Sequence, residues 1–461
     1  MKKLIILFAV LLGLVEARSQ KTDHEILEEL LQNTVKFYQM LRADNGLYHD
    51  YVSSNGETNR GSAANIGMGL VAQCVATEMG WTNTAEEEII ETLQSVLGHN
   101  DRGVKLARTA QDCFIHFYDI NTGKAIGDDW SPIDTDLMIS GALFAKRYFY
   151  HNEQIAKYAD ELYSLVDQSQ FIGDWQKGHI ALKMTEEGPA VDSWTLPFNE
   201  YMVVAWLAKN QAKKKNEPAV KLWNKWYGNP ESLPMATYQS KDGQEFHVMT
   251  DHAVSKEFTS NFTFMFNYLF VHEFSVNPHY QEAMRQAALA DRAWWNDRHD
   301  LDLMGKKPYE WGTTAGVGLR ERNGKLVEGY TVDRICRIEH IDTDRDRNKG
   351  KNVALSAMAG YSPVLPDLVR KDLIAIYRDP RGLGKVALPA REGISDGGDY
   401  ILWKYSYSDL NWRPSKVEGV DYACMLLGLA ALPEFLGVEF FQEYNDFFNS
   451  NPPNYKSKLN R

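Results

Sequence analysis

A chain of 461 residues with 62 acidic against 50 basic side chains carries a net charge of −12, which makes nucleic acid and anionic membranes poor partners and a neutral ligand a better one. That length supports a large hydrophobic core, and the four cysteines (Cys74, Cys113, Cys336, Cys424) show neither CxxC nor Cys/His metal spacing. Aromatic residues make up 12%, including 12 Trp and 23 Tyr, enough to furnish flat faces for sugar rings as well as ordinary packing.

The chain opens with Lys2 and Lys3, an apolar run from Leu4 to Val15, and Val15-Glu16-Ala17. A basic start, an apolar stretch too short to span a bilayer and a small-x-small site predict a signal peptide over 1–17, cut after Ala17. No Cys follows the run, so no lipid anchor is expected. Residues 18–461 are read as one exported domain, periplasmic or secreted, with no membrane insertion.

Helical periodicity then recurs throughout, at 24–42, 62–80, 84–98, 131–150, 152–168, 197–211, 217–227, 260–274, 278–298, 353–378, 417–435 and 438–449. Segments such as "NIGMGLVAQCVA", "DLMISGALFA", "YMVVAWLA" and "YACMLLGLAAL" are apolar nearly all round. Their neighbours, such as "TAEEEIIETLQSVL" and "NEQIAKYADELYSLV", are amphipathic. An apolar inner ring shielded by an amphipathic outer ring accounts for the alternation, so the fold class is all-α, a double-layered α/α barrel. Strand-like stretches are few: "CFIHFYD" with a turn at Asn121-Thr122-Gly123, and "DYILWKYSYS". They are expected as short hairpins over one mouth. The charge-dense segment 333–351 reads as a surface excursion.

Three acidic sites stand out. In "DDWSPIDTDL" (128–137), Ser131 is a helix N-cap, Pro132 takes the first helical position and Asp134 completes a capping box, a sufficient local reason for that carboxylate. Asp136 has no such reason: it lies between Ile133 and Leu137 on a helix with little polar face, and is expected to project into the barrel mouth. The helix dipole favours charge on both, which suits accepting hydrogen bonds from sugar hydroxyls. In "SWTLPFNEYMVVAWLAK", Glu200 is the only charge between Asp192 and Lys209 and shares a face with Val203, Val204 and Leu207. Trp194, Phe198 and Tyr201 add apolar surface, and desolvation there would raise the carboxyl pKa as a general acid requires. A buried ion pair with a distant Arg or Lys competes with that reading. In "REGISDGGDYILWKYSYSDLNW", Asp396 and Asp399 flank a Gly-Gly turn ahead of Tyr400, Trp403, Tyr405, Tyr407 and Trp412. Glu310 and Trp311 in "KPYEWGTTAG" pose the same choice between a sugar site and a plain loop.

No metal or cofactor is expected. "DTDRDRNKG" at 342–350 lacks the Gly and the final Glu of a calcium loop, and His247 and His252, near Asp251, read as loop or core histidines.

"ANIGMGLVAQCVATEMGW", "SPIDTDLMISGALFAKRYF", "FNEYMVVAWLAKN" and "EWGTTAG", in that order and at those intervals, resemble the bacterial glycoamylase-like proteins, among them the inverting β-1,2-glucanases of glycoside hydrolase family 144. The likeness covers most of 18–461 and weakens at 316–352 and near the C-terminus. It implies an (α/α)6 barrel with an acidic cleft and metal-free hydrolysis of a β-glucan, most readily β-1,2-glucan; a monomer is expected, though nothing in the sequence fixes the oligomeric state. By the same resemblance Glu200 would be the general acid and Asp399, or failing it Asp396, the base. Asp134, Asp136, Glu310, Trp311, Trp194 and Trp403 would bind substrate. The alternatives are a hydrolase of the same fold for another linkage, a non-catalytic glycan-binding protein, and a lyase, which would need a uronate and basic residues that the acidic balance does not favour.

Overall fold

The alternation of helix types becomes two concentric rings. In chain order the helices of the computed structural model are α1 (Asp23–Leu41), α2 (Ala63–Glu78), α3 (Ala85–Leu97), α4 (Pro132–Tyr148), α5 (Glu153–Leu165), α6 (Met202–Gln211), α7 (Pro218–Lys225), α8 (Phe262–Phe270), α9 (His272–Val276), α10 (Pro278–Asp297), α11 (Leu355–Gly360), α12 (Pro366–Arg378), α13 (Gly419–Ala430) and α14 (Val438–Tyr444). The structure describes residues 21–54, 56, 58–252, 255 and 257–457. The segment read as a signal peptide lies outside them. Among the described residues, α2, α4, α6, α8, α11 and α13 pack in that order and α13 returns to α2, closing an inner ring. All of α2 but Thr77 is buried. Outer α5 buries only Ile155, Tyr158, Ala159 and Leu162, the stripe that a one-sided helix requires. This is the (α/α)6 barrel. Glycine permits close contact in the ring: a Cβ on Gly67 of α2 would run into the Leu137 carbonyl of α4, and one on Gly141 of α4 into the Gly67 backbone.

The connections are unequal, and that locates the working end. The inner helices leave through short turns into outer ones but are entered through long segments, and those segments carry the strands. Arg60–Ser62 leads into α2, Trp194–Thr195 precedes α6, Asn352–Ala354 enters α11 and Lys416–Glu418 enters α13. The loops therefore gather at the N-terminal mouth of the inner ring, where helix dipoles point outward.

Several local expectations change. Phe117–Asp119 pairs with Arg60–Ser62 and folds back across the 121–123 turn only through a Tyr118–Ala125 bridge. "DYILWKYSYS" is not a hairpin: Tyr400–Leu402 pairs with Lys385–Ala387, and Lys404–Ser406 with Asn352–Ala354. The 353–378 helix is broken into α11 and α12 around Pro363 and Pro366, since proline cannot continue a helix. The segment 333–351 is no mere excursion. The fully buried Arg298 guanidinium draws Asp346 in at 3.5 Å, and Asp333 and Asn348 are buried with it. Among the described residues, no helix is long and apolar enough to cross a membrane, and all four cysteines are buried and free.

Candidate active site

Ahead of α6 the chain turns sharply. Asn199 accepts the Tyr201 N–H at 3.1 Å, and its amide donates to the Leu196 carbonyl at 3.0 Å. The turn places Glu200 before the first helical residue, Met202, not inside the opening turns as its spacing suggested. There it lines a cavity of about 550 Å³, a size that suits a small ligand or one part of a longer one. The walls combine apolar groups (Trp194, Leu196, Phe262, Val332) with Asp251, His252 and Arg334. Burial pushes the Glu200 carboxyl up to about 7, and the charges of Asp251 and Asp134 add to the rise against the opposing Arg334 guanidinium. The sequence left open a structural ion pair for Glu200, but Arg334 is occupied otherwise: it donates to Glu257 at 3.1 Å and contacts His252 at 2.5 Å.

Asp251 is raised as well, by burial, against the pull of His252, Asn199 and Arg334. His252 Nε2 stands 3.3 Å from it. Two neighbouring carboxyls that each resist ionisation form a site able to hold a proton at neutral pH.

The four carboxylates of "DDWSPIDTDL" part company. Asp128 is an exposed partner of Lys183 at 3.3 Å. Asp129 and Asp134 flank His116, at 3.1 Å from Nδ1 and 3.6 Å from Nε2 respectively. Burial works to lower the His116 pKa, but Asp134, Asp129 and Asp50 outweigh it and hold the imidazole at about 8. Only half of the capping box forms. Ser131 Oγ accepts the Asp134 N–H at 3.3 Å, whereas the Ser131 N–H goes to the Phe114 carbonyl, so the Asp134 carboxyl is free to turn to His116. Asp136 does not reach the mouth: it is fully buried and accepts from Gln168 Nε2 at 2.8 Å. Burial holds its carboxyl well above the usual range, opposite to the charge expected from the helix dipole.

The remaining candidates divide the same way. Trp194 lines the cavity, stacked on His179 with ring centres 5.6 Å apart. Trp311 is fully buried with its indole donating to Asp372 at 2.8 Å, and Trp403 is fully buried beneath the 315–332 hairpin, donating to the Val317 carbonyl at 3.3 Å. Glu310 is fully buried among Arg381, Tyr405 and Tyr407. None of these three offers a face to a ligand. Asp396 and Asp399 border a separate depression with Lys36 and Arg391. Lys36 lies 2.9 Å from Asp399 and, with Ser395, outweighs burial to keep that carboxyl below its ordinary value. Sequence reading missed His116 and Arg334. The first follows three consecutive buried residues in a strand-like run, and the second stands in a charge-dense stretch.

The fold and this mouth define an (α/α)6-barrel protein with an acidic, partly apolar cavity at the N-terminal end of its inner helices. Among solved structures it is similar to the endo-β-1,2-glucanase of Chitinophaga pinensis in complex with sophorotriose and glucose, with a TM-score of 0.70 and 17% identity over 92% of this chain and 97% of that one. The β-1,2-glucanase of Parabacteroides distasonis matches with a TM-score of 0.69 and 17% identity over 94% of this chain and 61% of that one. A mutant endo-β-1,2-glucanase of Talaromyces funiculosus, in complex with β-1,2-glucan, matches at 0.53 and 10% over 94% and 93%. No protein-family model and no curated relative matches the sequence. At these identities the likeness establishes the fold, in agreement with the motif resemblance to glycoamylase-like proteins.

Proposed function

We propose that the protein is an exported glycoside hydrolase that cleaves a β-linked glucan, β-1,2-glucan first among them, with inversion at the anomeric carbon. The observation that carries this reading is Glu200: a carboxyl on the wall of a cavity with apolar sides, raised to about 7 by burial. Such a group can give a proton to the leaving glycosidic oxygen at neutral pH. The water-activating base is assigned to Asp134 instead of Asp399 or Asp396. Asp134 acts on Glu200 through space and sits beside the His116 imidazolium, while Asp399 and Asp396 border a different depression. An inverting pair stands about 6.5–9.5 Å apart to leave room for water. Export rests on the first 17 residues of the sequence, and the β-1,2 linkage on the motif resemblance and on what the structurally similar enzymes bind.

The purified protein incubated with linkage-defined glucans should release reducing ends from β-1,2-glucan, and proton NMR of the first product should show the α-anomer. Cleavage of a different glucan alone would move the linkage. Binding without release would make this a glycan-binding protein, and products absorbing in the ultraviolet would indicate a lyase.

A pH profile tests the acid independently. Glu200 acts in its protonated form, and its pKa is raised, so that form persists past the ordinary carboxylate range and is lost as pH climbs through about 7. The expected result is an alkaline limb of kcat/KM centred near that value. A profile flat from pH 6 to 8 on the cleaved glucan would remove Glu200 from the acid role.

A further inference from the structure

The hairpin of Ala315–Arg322 and Lys325–Val332 leads away from the Glu200 cavity. Side chains alternate along a strand, so Leu326, Glu328, Tyr330 and Val332 share one face. Among the described residues only Glu328 on that face is overlaid, and Leu326, Tyr330 and Val332 are 45%, 46% and 45% exposed. Large apolar groups left open in a row and continuous with a cavity mark a ligand surface. Val332 belongs to the wall that Glu200 lines. The Tyr330 hydroxyl reaches inward and donates to Asp421 Oδ1 at 3.3 Å in the first turn of α13, while the residue as a whole stays 46% exposed. Glu328 accepts from the Trp412 indole at 2.9 Å and from the Ser415 N–H at 3.1 Å, which holds a second aromatic ring beside the strand. Leu326 is outermost, roughly 20 Å from Val332 at the rise of an extended strand.

This track is preformed. The Val317 N–H donates to Glu418 at 3.0 Å, and the Asn352 side chain brackets Leu319, accepting from its N–H and donating to its carbonyl, each at 2.9 Å. The root of the hairpin is thereby fastened to the segments entering α11 and α13.

We propose that this strand face binds the glucan beyond the scissile bond, Tyr330 receiving a sugar ring on its exposed face and Trp412 with Leu326 receiving those further out, so that these residues set how strongly long chains are preferred over short ones. The inference rests on the hydrolase reading and names the part of the site that sets chain length. The measurement is kcat/KM on polymeric β-1,2-glucan divided by kcat/KM on the shortest oligosaccharide cleaved. Tyr330→Ala should lower that ratio about tenfold, and Trp412→Ala with Leu326→Ser should lower it too. Tyr330→Phe, which keeps the ring and loses the hydroxyl, should hold the wild-type ratio. An unchanged ratio in Tyr330→Ala, or a Tyr330→Phe as damaged as Tyr330→Ala, overturns the proposal. The second result would assign Tyr330 to the Asp421 contact. If the wild type cleaves no glucan, the hydrolase reading fails by itself, and calorimetry with long and short β-1,2-glucans then judges the track. A preference for long chains that Tyr330→Ala abolishes supports it, and equal affinities overturn it.

Discussion

Glu200→Gln should abolish nearly all turnover and leave binding in place: kcat on the best glucan is expected to fall by roughly 10²–10⁴-fold, the share that a positioned proton donor supplies. The amide has the size of the carboxyl and can hydrogen-bond to sugar, but it has no proton to deliver to the leaving oxygen. The substitution should fold normally, because the turn that presents residue 200 is built by Asn199 and not by the Glu200 side chain. Among the described residues no ion pair to Glu200 is formed, and Arg334 is engaged by Glu257 and His252. Calorimetric titration with an oligosaccharide should therefore give a dissociation constant within a few-fold of wild type. Near-normal kcat in Glu200→Gln would end the assignment and send the search to Asp251 and Asp134, the carboxyls whose charge Glu200 feels.

The double ring was legible because burial on every side and burial on one side leave different patterns, and α2 and α5 display the two extremes. Glu200 was legible for a related reason: one charge in a long apolar stretch needs an explanation wherever the helix starts. Asp136 shows the limit of such reasoning. A helical wheel gives its direction but not what lies there, and Gln168 from the following connection closes over it. Asp396 and Asp399 were misplaced because Tyr400–Leu402 takes its position from pairing with Lys385–Ala387, a non-local choice that no window of sequence contains. The 315–332 hairpin did carry a local signal. Asn323-Gly324 has φ of 54° and 71°, the two left-handed residues of a tight hairpin turn, between strand-like runs. Arg334 and His252 owe their place in the cavity to long-range packing, for which charge density is no guide.

Glu310 shows how a carboxylate in a sugar-like motif becomes structural, and its removal should be the most damaging change to stability. It is fully buried, and its oxygens accept from the Lys307 N–H at 3.0 Å, from the Tyr405 hydroxyl at 2.7 Å, from Tyr407 and from Arg381. Glu310→Ala leaves Arg381 with Asp379, whose carboxylate accepts from Nε at 2.9 Å, but removes the acceptor of the buried Tyr405 hydroxyl and leaves Tyr407 only Arg381. Breaking a buried charged network from one side costs about 3–5 kcal/mol, whereas Glu310→Gln keeps shape and an acceptor and should cost less. The loss would extend to the mouth. Residue 310 begins the stretch whose Thr313 carbonyl accepts the Asn261 N–H at 3.0 Å and whose Thr314 Oγ1 accepts the Phe262 N–H at 3.2 Å, and Phe262 is a wall of the Glu200 cavity. Urea denaturation should show a lowered midpoint with an unchanged slope, and activity should fall at temperatures where the wild type is still folded. A Glu310→Ala protein with wild-type denaturation but a raised KM would return Glu310 to the substrate.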